Sequence, residues 1–547
     1  MSDLHTLGRW PRDRALATPD RVAVDDRGVT LTYRALDARA TALAARLRDA
    51  GYGVGDRIAT VTGNSSDQVV LFFACAKAGL VLAPLSWRLS PHELAAQLDQ
   101  ADPALVLVEE ECGTLADAAL ERLPLPPSRT ALGPHGVEAR VPPLTRRRAE
   151  PPAGPPHRAV RDDDPLLLVF TSGTGGTSRG ALLTHANCFW NNLSLSRTVE
   201  LTSTDVVLSV LPQFHVGGWN IQPLLAWWTG ATVVLERTFE PERVLRLVAD
   251  RRVTTMMGVP TNYLLLAEHP GFAAADLSSL RHAVVGGAPM PEPLLRAWHR
   301  RGVALTQGYG LTEAGPNVLC LPDDVARDRV GSAGVPYPHV EVAVADPVTG
   351  EHLAGTATGE LLVRGPSVFA GYFREPEATA ASFAGGWLRT GDLVERDADG
   401  YYRVVDRLKD VFITGGENVT PAEVEAALRR HPAVADAAVV GVPDERWGEV
   451  GHAFVVPRGG RLTDAEELEA FCRRELAGYK VPRHFDLVPD LPRSSLNKVV
   501  RSALAAPPPA GPASPAGPAS PASPASPASP ASPASPALHV RPAEEAR

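Results

Sequence analysis

Short apolar runs alternate with amphipathic segments along the first 310 residues of the chain. The runs predicted as strands cover residues 57–62, 104–108, 166–170, 206–211, 231–235, 283–285 and 303–306. Between them, apolar residues recur at helical spacing, as do Leu36, Leu43 and Leu47 in a helix predicted over 32–50. Strands that alternate with helices are typical of an α/β domain with mostly parallel sheets flanked by helices.

The pattern changes after about residue 359. The segments GELLVRG, GYF, GGWLRTGD and DADGYYRVVDR predict short strands and turns, which indicate a small β-rich subdomain. Beyond Lys409 the pattern predicts a compact α+β unit with two helices. Each helix follows a capping-box sequence, Thr420–Glu423 for the first and Thr463–Glu466 for the second, and the second helix is predicted to end at Gly478. We therefore expect a large domain over 1–408, a smaller domain over 409–504 and a tail over 505–547.

The predicted tail consists almost wholly of Ala, Ser, Pro and Gly, with Ala-Ser-Pro repeated. Such a segment has no apolar bulk to bury, so we expect it to be disordered and extended. Either an inert tail or a docking segment fits this composition, and the inert tail is the preferred interpretation.

Composition narrows the classes of function. The 547 residues are 44% apolar and 21% charged, which is typical of a soluble globular protein, and the net charge of −9 gives no support to nucleic-acid binding. Five scattered cysteines without a CxxC pair indicate neither a disulfide framework nor a zinc site. The N-terminus shows no apolar signal region. The apolar run 69–85 carries Lys77 and is too short for a transmembrane segment, so a cytoplasmic protein is expected.

A glycine-rich turn follows the apolar run 166–170, in the sequence LLLVFTSGTGGTSRG. Its hydroxyls, glycines and cation are Thr171, Ser172, Gly173, Thr174, Gly175, Gly176, Thr177 and Arg179. Backbone N–H groups and hydroxyls in such a turn suit a phosphate chain, although a flexible linker has a similar composition. The turn is not a Walker A loop, because no Gly-Lys-Ser/Thr closes it.

Further polar groups follow later strands, where open α/β sheets bind ligands. The small residues Gly286–Pro289 let a flat ring approach the backbone, and in the segment 307–313 Tyr309 offers a stacking face and Glu313 a carboxylate suited to Mg²⁺. Asp392 is suited to ribose hydroxyls, and Arg407 to a second ribose or phosphate contact. Only four of the 54 basic residues are lysines, and Lys409, Lys480 and Lys498 lie close together near the end of the predicted domains.

Five ordered motifs resemble those of the adenylate-forming superfamily, which includes acyl-CoA synthetases, aryl-CoA ligases and peptide-synthetase adenylation domains. The motifs are FTSGTGGTSRG, QGYGLTE, WLRTGD, DRLKDVFITGGENVTPAEVE and LPRSSLNKVVRSAL, within residues 31–504. The resemblance implies ATP, Mg²⁺ and coenzyme A, and a two-step reaction through acyl-AMP. It also implies a C-terminal domain that moves about a hinge at Lys409.

The resemblance also implies roles for individual residues. The turn from Thr171 to Arg179 would hold the ATP phosphates, with Thr171 and Glu313 at the magnesium positions. The adenine and α-phosphate contacts would be Gly287, Ala288, Pro289, Gln307, Gly308, Tyr309 and Thr312, and the ribose contacts Asp392 and Arg407. Lys498 would be the catalytic lysine, with Glu313 and Thr312 also in the catalytic set, and Gly415, Gly416 and Asn418 would line the path of CoA.

The chain departs from the family pattern at three places. Gly175 replaces the usual second threonine of the turn, and Ser178-Arg179 replaces the usual Pro-Lys. Asn497 replaces the glycine that usually precedes the catalytic lysine. Because arginine keeps the charge and changes the geometry, we expect altered ATP affinity and retained activity.

The acid and the acceptor are less constrained. His215 stands where amino-acid-activating relatives carry an aspartate, which argues against amino acids as substrates. Gly217 is expected to open a longer apolar pocket that favours a medium- or long-chain fatty acid, unless Trp219 closes it. An aryl-acid CoA ligase is the alternative. No insertion precedes Lys409, which favours CoA over a carrier protein as acceptor. An inactive adenylate-binding scaffold and a homodimer remain open.

Overall fold

The computed structural model describes residues 5–145, 158–172, 178–288, 290–414, 417–444, 446–459, 464–494 and 498–504. Its α-helices are α1 (Trp10–Ala17), α2 (Tyr33–Asp49), α3 (Ser66–Ala78), α4 (Pro91–Ala101), α5 (Gly113–Leu120), α6 (His185–Ser196), α7 (Gly217–Asn220), α8 (Pro223–Thr229), α9 (Pro241–Asp250), α10 (Pro260–Glu268), α11 (Glu292–Arg300), α12 (Pro376–Ala381), α13 (Pro421–Arg429) and α14 (Ala465–Glu475).

The strands of the first part of the chain are β1 (Val22–Asp26), β2 (Val29–Thr32), β3 (Arg57–Val61), β4 (Val81–Leu85), β5 (Leu105–Val108), β6 (Ser128–Ala131), β7 (Pro165–Ser172), β8 (Ser178–Thr184), β9 (Val206–Ser209), β10 (Thr232–Leu235), β11 (Thr255–Gly258), β12 (His282–Val285), β13 (Leu305–Gly310) and β14 (Asn317–Cys320). The remaining strands are β15 (Val335–Pro336), β16 (Glu341–Ala345), β17 (His352–Leu353), β18 (Ala357–Arg364), β19 (Gly371–Tyr372), β20 (Phe383–Ala384), β21 (Trp387–Arg396), β22 (Tyr402–Arg407), β23 (Phe412–Thr414), β24 (Glu417–Val419), β25 (Val434–Asp444), β26 (Gly448–Pro457) and β27 (His484–Leu487).

Two mostly parallel sheets form the larger part of the molecule. One has the order β15-β14-β13-β12-β11-β9-β10-β1-β2 and the other the order β19-β8-β7-β4-β3-β5-β6. Buried residues of α2 and α3 share one apolar core with strands of both sheets. The predicted α/β fold is confirmed.

The local predictions hold with small shifts. The helix expected over 32–50 spans Tyr33–Asp49, and the hydroxyl of Thr32 accepts a hydrogen bond from the backbone N–H of Ala35 at its start. The apolar run 69–85 divides into the end of α3 and β4, because Gly79 adopts a left-handed conformation (φ +75°) that stops the helix. No described helix is both long enough and apolar enough to span a membrane.

Two smaller sheets follow. The first is antiparallel, has the order β17-β16-β18-β21-β20 with β22 paired to β21, and corresponds to the predicted β-rich subdomain. The second, built from β23 to β27, lies wholly after Lys409 and packs on α13 and α14 through its own apolar core. The boundary at 408/409 and the hinge there stay predictions, and the predicted tail (505–547) lies outside the described residues.

The capping boxes differ from the prediction. No cap hydrogen bond from the Thr420 side chain is found at the start of α13, although Pro421 opens the helix as expected. The second helix begins one residue later than expected, with Asp464 as its cap, and ends at Glu475 rather than at Gly478. Aspartate is as good an N-cap as threonine, so the cap moves to the residue whose carboxylate reaches the N–H of Glu467.

Candidate active site

One open cleft is lined by residues from the carboxyl ends of β7, β12 and β13. Further residues come from the antiparallel sheet that contains β21 and from the segment after β27. The cleft is lined by Thr171, Gly287, Tyr309, Glu313, Asp392 and Lys498, among other residues. These side chains come from six separate positions across more than 300 residues of chain. The fold therefore brings together the polar groups that the motifs predicted separately.

Glu313 faces the strand that leads into the glycine-rich turn. Its Oε1 accepts hydrogen bonds from the hydroxyl of Thr171 at 3.3 Å and from the hydroxyl of Tyr372 at 2.9 Å. The two predicted magnesium positions are thus adjacent, and both offer oxygen, which Mg²⁺ prefers. Among the described residues no group of three or more His, Cys, Asp or Glu side chains could hold a metal ion. Water and phosphate oxygens would complete the shell of a bound Mg²⁺.

Arg179 lies on β8, close to Tyr372, the residue whose hydroxyl donates to Glu313. Its Nε is 3.1 Å from Glu375 Oε2, and its guanidinium lies 5.5 Å from the centre of the Tyr372 ring. A cation is therefore held at the edge of the predicted phosphate site. Thr174 and the glycines Gly173, Gly175 and Gly176 lie outside the described residues, and only the backbone of Ser172 is described, so the phosphate contacts of the turn stay a prediction.

Asp392 and Arg407 are cross-strand neighbours on β21 and β22. Arg407 Nε is 3.0 Å from Asp392 Oδ1, and the hydroxyl of Tyr309 donates to Asp392 Oδ2 at 2.6 Å. Burial raises the pKa of Asp392, and the charge of Arg407 and the hydrogen bond from Tyr309 oppose that rise. The pKa of Tyr309 is raised well above its usual value, chiefly by burial and then by the carboxylate, so its hydroxyl remains a donor. The predicted ribose residues are thus fixed to the predicted adenine-binding tyrosine.

Lys498 lies in the cleft between these two groups of side chains, and the residue itself keeps access to solvent. Surrounding protein partly desolvates its ammonium group and, together with the charge of Arg407, lowers its pKa, while Asp392 and Glu313 act in the opposite direction. Gly287 adopts φ +81°, and a Cβ there would lie 3.9 Å from Lys498 Cε. A Cβ would therefore fit beside the lysine, and it is the left-handed φ rather than a lack of space that favours glycine at this position.

His215 borders the same cleft. Its Nε2 atom is buried and has no hydrogen-bond partner within the described part of the chain. Burial, together with the charges of Lys498 and Arg88, lowers the pKa of His215 to about 3. At neutral pH the ring is therefore uncharged. It lines the pocket as a neutral side chain and supplies no negative charge to pair with the ammonium group of an amino acid.

The structure separates the three residues predicted for the acid pocket. Trp219 is fully buried in the core, where its ring stacks on Phe72 at 4.7 Å and its Nε1–H donates to the carbonyl of Gln213. It therefore packs behind the pocket and does not close it. Gly217 does line the cleft, but a Cβ there would lie 3.1 Å from Leu211 Cδ1 and 3.3 Å from Ile221 Cδ1. Neighbouring side chains thus already fill the space that the small residue was expected to open.

The remaining predicted residues divide into two groups. Ala288, Gln307, Gly308 and Thr312 line the cleft. Lys409 is exposed, directly after β22. Pro289, Gly415 and Gly416 lie outside the described residues, and of Asn418 only the backbone is described, so the adenine contact of Pro289 and the path of CoA stay predictions.

Sequence reasoning missed two residues of the cleft. Tyr372 lies in the segment GYF, whose only recognised signal was that of a short strand, yet its hydroxyl fixes Glu313. Arg88 lies near the acid pocket, 5.8 Å from the ring of Phe214, and burial lowers its pKa. A lone arginine in an arginine-rich chain carries no motif that would have marked it.

Comparison with known proteins gives a concordant result. The model for AMP-binding enzymes matches residues 11–373, and the model for the C-terminal domain of AMP-binding enzymes matches 423–498. The chain belongs to the AMP-binding enzyme family. It is an ATP-dependent acid–CoA ligase, for which a carboxylic acid, ATP and CoA are the substrates.

Three similar proteins show the range of acids and acceptors in this family. The ligase is 42% identical to a feruloyl-CoA synthase from Amycolatopsis sp, with 90% of this chain and 97% of that protein covered. It is 35% identical to the fatty acid–[acyl-carrier-protein] ligase ScoC of Streptomyces coeruleorubidus, over 92% and 96% of the two chains. The o-succinylbenzoate CoA synthetase of Bacillus subtilis, solved with its acyl-adenylate intermediate, superposes with a TM-score of 0.79, 32% identity and coverage of 91% and 97%.

Proposed function

We propose that this ligase activates an aryl acid, such as an arylpropenoic acid, and transfers it to CoA. The observation that carries the proposal is the close packing around Gly217. Beside Gly217 lies a separate small cavity, bordered by Ser209, Gln222 and Met257, with room for about one water-sized group. A long alkyl chain would need a continuing tunnel, whereas a ring with a small substituent would not.

The similarity to a feruloyl-CoA synthase supports the same choice. The preference for a fatty acid, which rested on the small size of Gly217, gains no support, because Leu211 and Ile221 crowd that position. The similarity to ScoC supports a second candidate function, in which the protein is an acyl-AMP ligase that loads a carrier protein.

The first step is the attack of the substrate carboxylate on the α-phosphorus of ATP, with pyrophosphate leaving. In this proposal Lys498 meets the charge that develops on the phosphoryl group, since a preorganised cation stabilises such a transition state. Asp392 holds the ribose, and Tyr309 holds the Asp392 carboxylate in place. Thr171 and Glu313 would hold Mg²⁺, which neutralises phosphate charge when it is bound.

The second step is the attack of the CoA thiol on the acyl carbonyl, with AMP leaving. The neutral His215 and the apolar side chains beside it form the wall against which the acyl group would lie. Such a wall holds the reacting carbonyl in one orientation without competing for the carboxylate.

The proposal is tested by pyrophosphate release with ferulic acid and with dodecanoic acid, each with and without CoA. We expect ferulate to give CoA-dependent turnover with kcat/KM at least about tenfold above that of dodecanoate. Faster turnover of dodecanoate would contradict the aryl assignment. Turnover of ferulate that CoA does not stimulate would favour the carrier-protein acceptor instead.

A further inference from the structure

Four buried asparagines lie behind the active site, and none of the recognised motifs contains them. Asn191 and Asn192 belong to α6, Asn220 ends α7, and Asn317 begins β14. The exposed fractions of the first three are 1% or less, and that of Asn317 is 7%. Burying neutral amides is costly unless they are hydrogen-bonded, so their partners indicate what they stabilise.

Two of these amides hold the segment that follows Glu313. The Nδ2 of Asn220 donates to the carbonyl of Gly315 at 2.9 Å, and the Oδ1 of Asn191 accepts the backbone N–H of Asn317 at 3.1 Å. The Nδ2 of Asn191 also donates to the carbonyl of Asn220 at 2.6 Å. Both ends of the segment 315–317 are therefore tied to one cluster, two residues after the predicted magnesium ligand.

The same helix also holds the segment on the other side of Glu313. Asn187, one turn before Asn191 on α6, donates through its Nδ2 to the carbonyl of Val368 at 2.8 Å. The next residue, Phe369, donates its backbone N–H to the carbonyl of Glu313 at 2.9 Å. Asparagines four residues apart share one face of a helix, so a single face of α6 reaches both flanks of Glu313.

The asparagines connect three predicted sites: the phosphate site, the acid pocket, and the residues that would hold the metal and the α-phosphate. Helix α6 follows β8, the second strand of the glycine-rich turn, and α7 begins two residues after His215 of the acid pocket. Asn220 ends α7 and bonds the segment after Thr312 and Glu313. The amides thus fix the distance between the phosphate site, the acid pocket and the residues that would hold the metal and the α-phosphate.

We infer that Asn191 and Asn220 are positioning residues for Thr312 and Glu313. The inference rests on the proposed ATP-dependent activation, and it assigns to these residues the placement of the Glu313 carboxylate against Thr171. A misplacement of about 1 Å at a reacting centre can lower the rate about 100-fold, so the loss of either amide is expected to appear in catalysis as well as in stability.

The chain provides a matched control in Asn192. Its Nδ2 donates to the carbonyl of Cys188 at 2.8 Å and to Asn220 Oδ1 at 3.1 Å, and none of its hydrogen bonds reaches residues 312–317. Replacement of Asn192 by leucine removes an equally buried amide from the same helix. It removes one hydrogen bond to Asn220 but leaves the Asn220–Gly315 and Asn191–Asn317 bonds in place, so it separates the loss of a buried amide from the loss of those two bonds.

The test measures the dissociation constant of ATP with and without Mg²⁺, acid-dependent ATP–pyrophosphate exchange, and CoA ester formation from supplied acyl-AMP. For Asn191→Leu and Asn220→Leu we expect Mg²⁺-dependent ATP binding to weaken and exchange to fall by at least about tenfold, with ester formation within about twofold of the wild type. For Asn192→Leu we expect a similar fall in thermal stability, with ATP binding and exchange within about threefold of the wild type.

Equal losses in Asn192→Leu and Asn220→Leu, or a parallel fall of exchange and ester formation, would overturn the positioning role. If Asn220→Leu does not fold, Asn220→Ala removes the donor to Gly315 without adding bulk or charge and carries the same expectation. Absence of exchange by the wild type with every acid would contradict the proposed function. The Mg²⁺-dependent binding of ATP would still decide the role of the asparagines.

Discussion

Lys498 shows how the cleft sets the properties of a single side chain. Partial desolvation and the charge of Arg407 lower the pKa of its ammonium group, and the carboxylates of Asp392 and Glu313 oppose that change. A lowered pKa does not remove the charge at neutral pH, but it brings the loss of that charge to a lower pH than for an ordinary lysine. Lys498 thus supplies a cation for the phosphoryl group, and it loses that charge at a lower alkaline pH than an ordinary lysine does.

The pH dependence of adenylation tests this description. Because the ordinary pKa of 10.5 is lowered, the rate of the first step is expected to decline as pH rises, with a midpoint below 10.5. Lys498→Arg should be slower at pH 7.5 but lack this decline, because a guanidinium keeps its proton above pH 12. ATP–pyrophosphate exchange between pH 7 and pH 10.5 measures both profiles. An identical decline in the two proteins would assign the titration to another group.

Residues with a distinctive chemical type could be predicted one by one, and residues that act through neutral contacts could not. The charged and glycine-rich motifs marked Asp392, Arg407 and Lys498, and the structure places all three in the cleft. Asn191 and Asn220 carry no charge and belong to no recognised motif. Their partners are backbone groups about 95 to 126 residues away, which only the folded chain defines.

At the scale of elements, α13 shows a tertiary contact that replaces a local one. The sequence predicted a cap by Thr420, but the backbone N–H of Ala422 donates instead to Asp406 Oδ2 of β22 at 2.8 Å. Glu423, the other residue of the predicted box, pairs with Lys480 at 2.7 Å. A buried carboxylate at a helix N-terminus satisfies the same orphan donors and also interacts favourably with the helix dipole.

Substitutions at the two positions should therefore have unequal effects. Asp406→Ala is expected to lower the free energy of unfolding by about 1 kcal/mol, because it leaves the first turn of α13 without its acceptor. Thr420→Ala should change that free energy by less than about 0.5 kcal/mol, since its side chain makes no cap hydrogen bond. Urea denaturation of the full chain measures both. A larger loss of unfolding free energy in Thr420→Ala than in Asp406→Ala would show that Thr420 does cap the helix.

At the scale of the molecule, the fold class followed from the sequence, and the assembly of the site did not. Alternating apolar runs and helices predict parallel sheets, because each strand must be buried on both faces. Which strand ends meet depends on the path of the whole chain: Thr171 contacts Glu313 across 142 residues and Tyr309 contacts Asp392 across 83. The family resemblance implied that Thr171 and Glu313 lie together at the magnesium positions, whereas the bond between Tyr309 and Asp392 was found only in the structure.

The position of the residues after Lys409 relates the structure to one of the two reaction steps. Lys498, from the part of the chain after Lys409, lies in the cleft beside Asp392 and Glu313, and the bond between Asp406 and Ala422 crosses the predicted hinge. In the proposed mechanism, this arrangement places Lys498 where it would act in adenylation. Movement of the C-terminal residues about Lys409 for thioester formation stays a prediction of the family resemblance.

The most direct test of this account separates the two half-reactions in Lys498→Ala. ATP–pyrophosphate exchange with ferulate measures the first half-reaction, and formation of feruloyl-CoA from supplied feruloyl-AMP measures the second. The account predicts that exchange falls by at least about 100-fold while ester formation stays within about threefold of the wild type. Equal loss of both half-reactions, or retention of exchange, would contradict the assignment of Lys498 to adenylation.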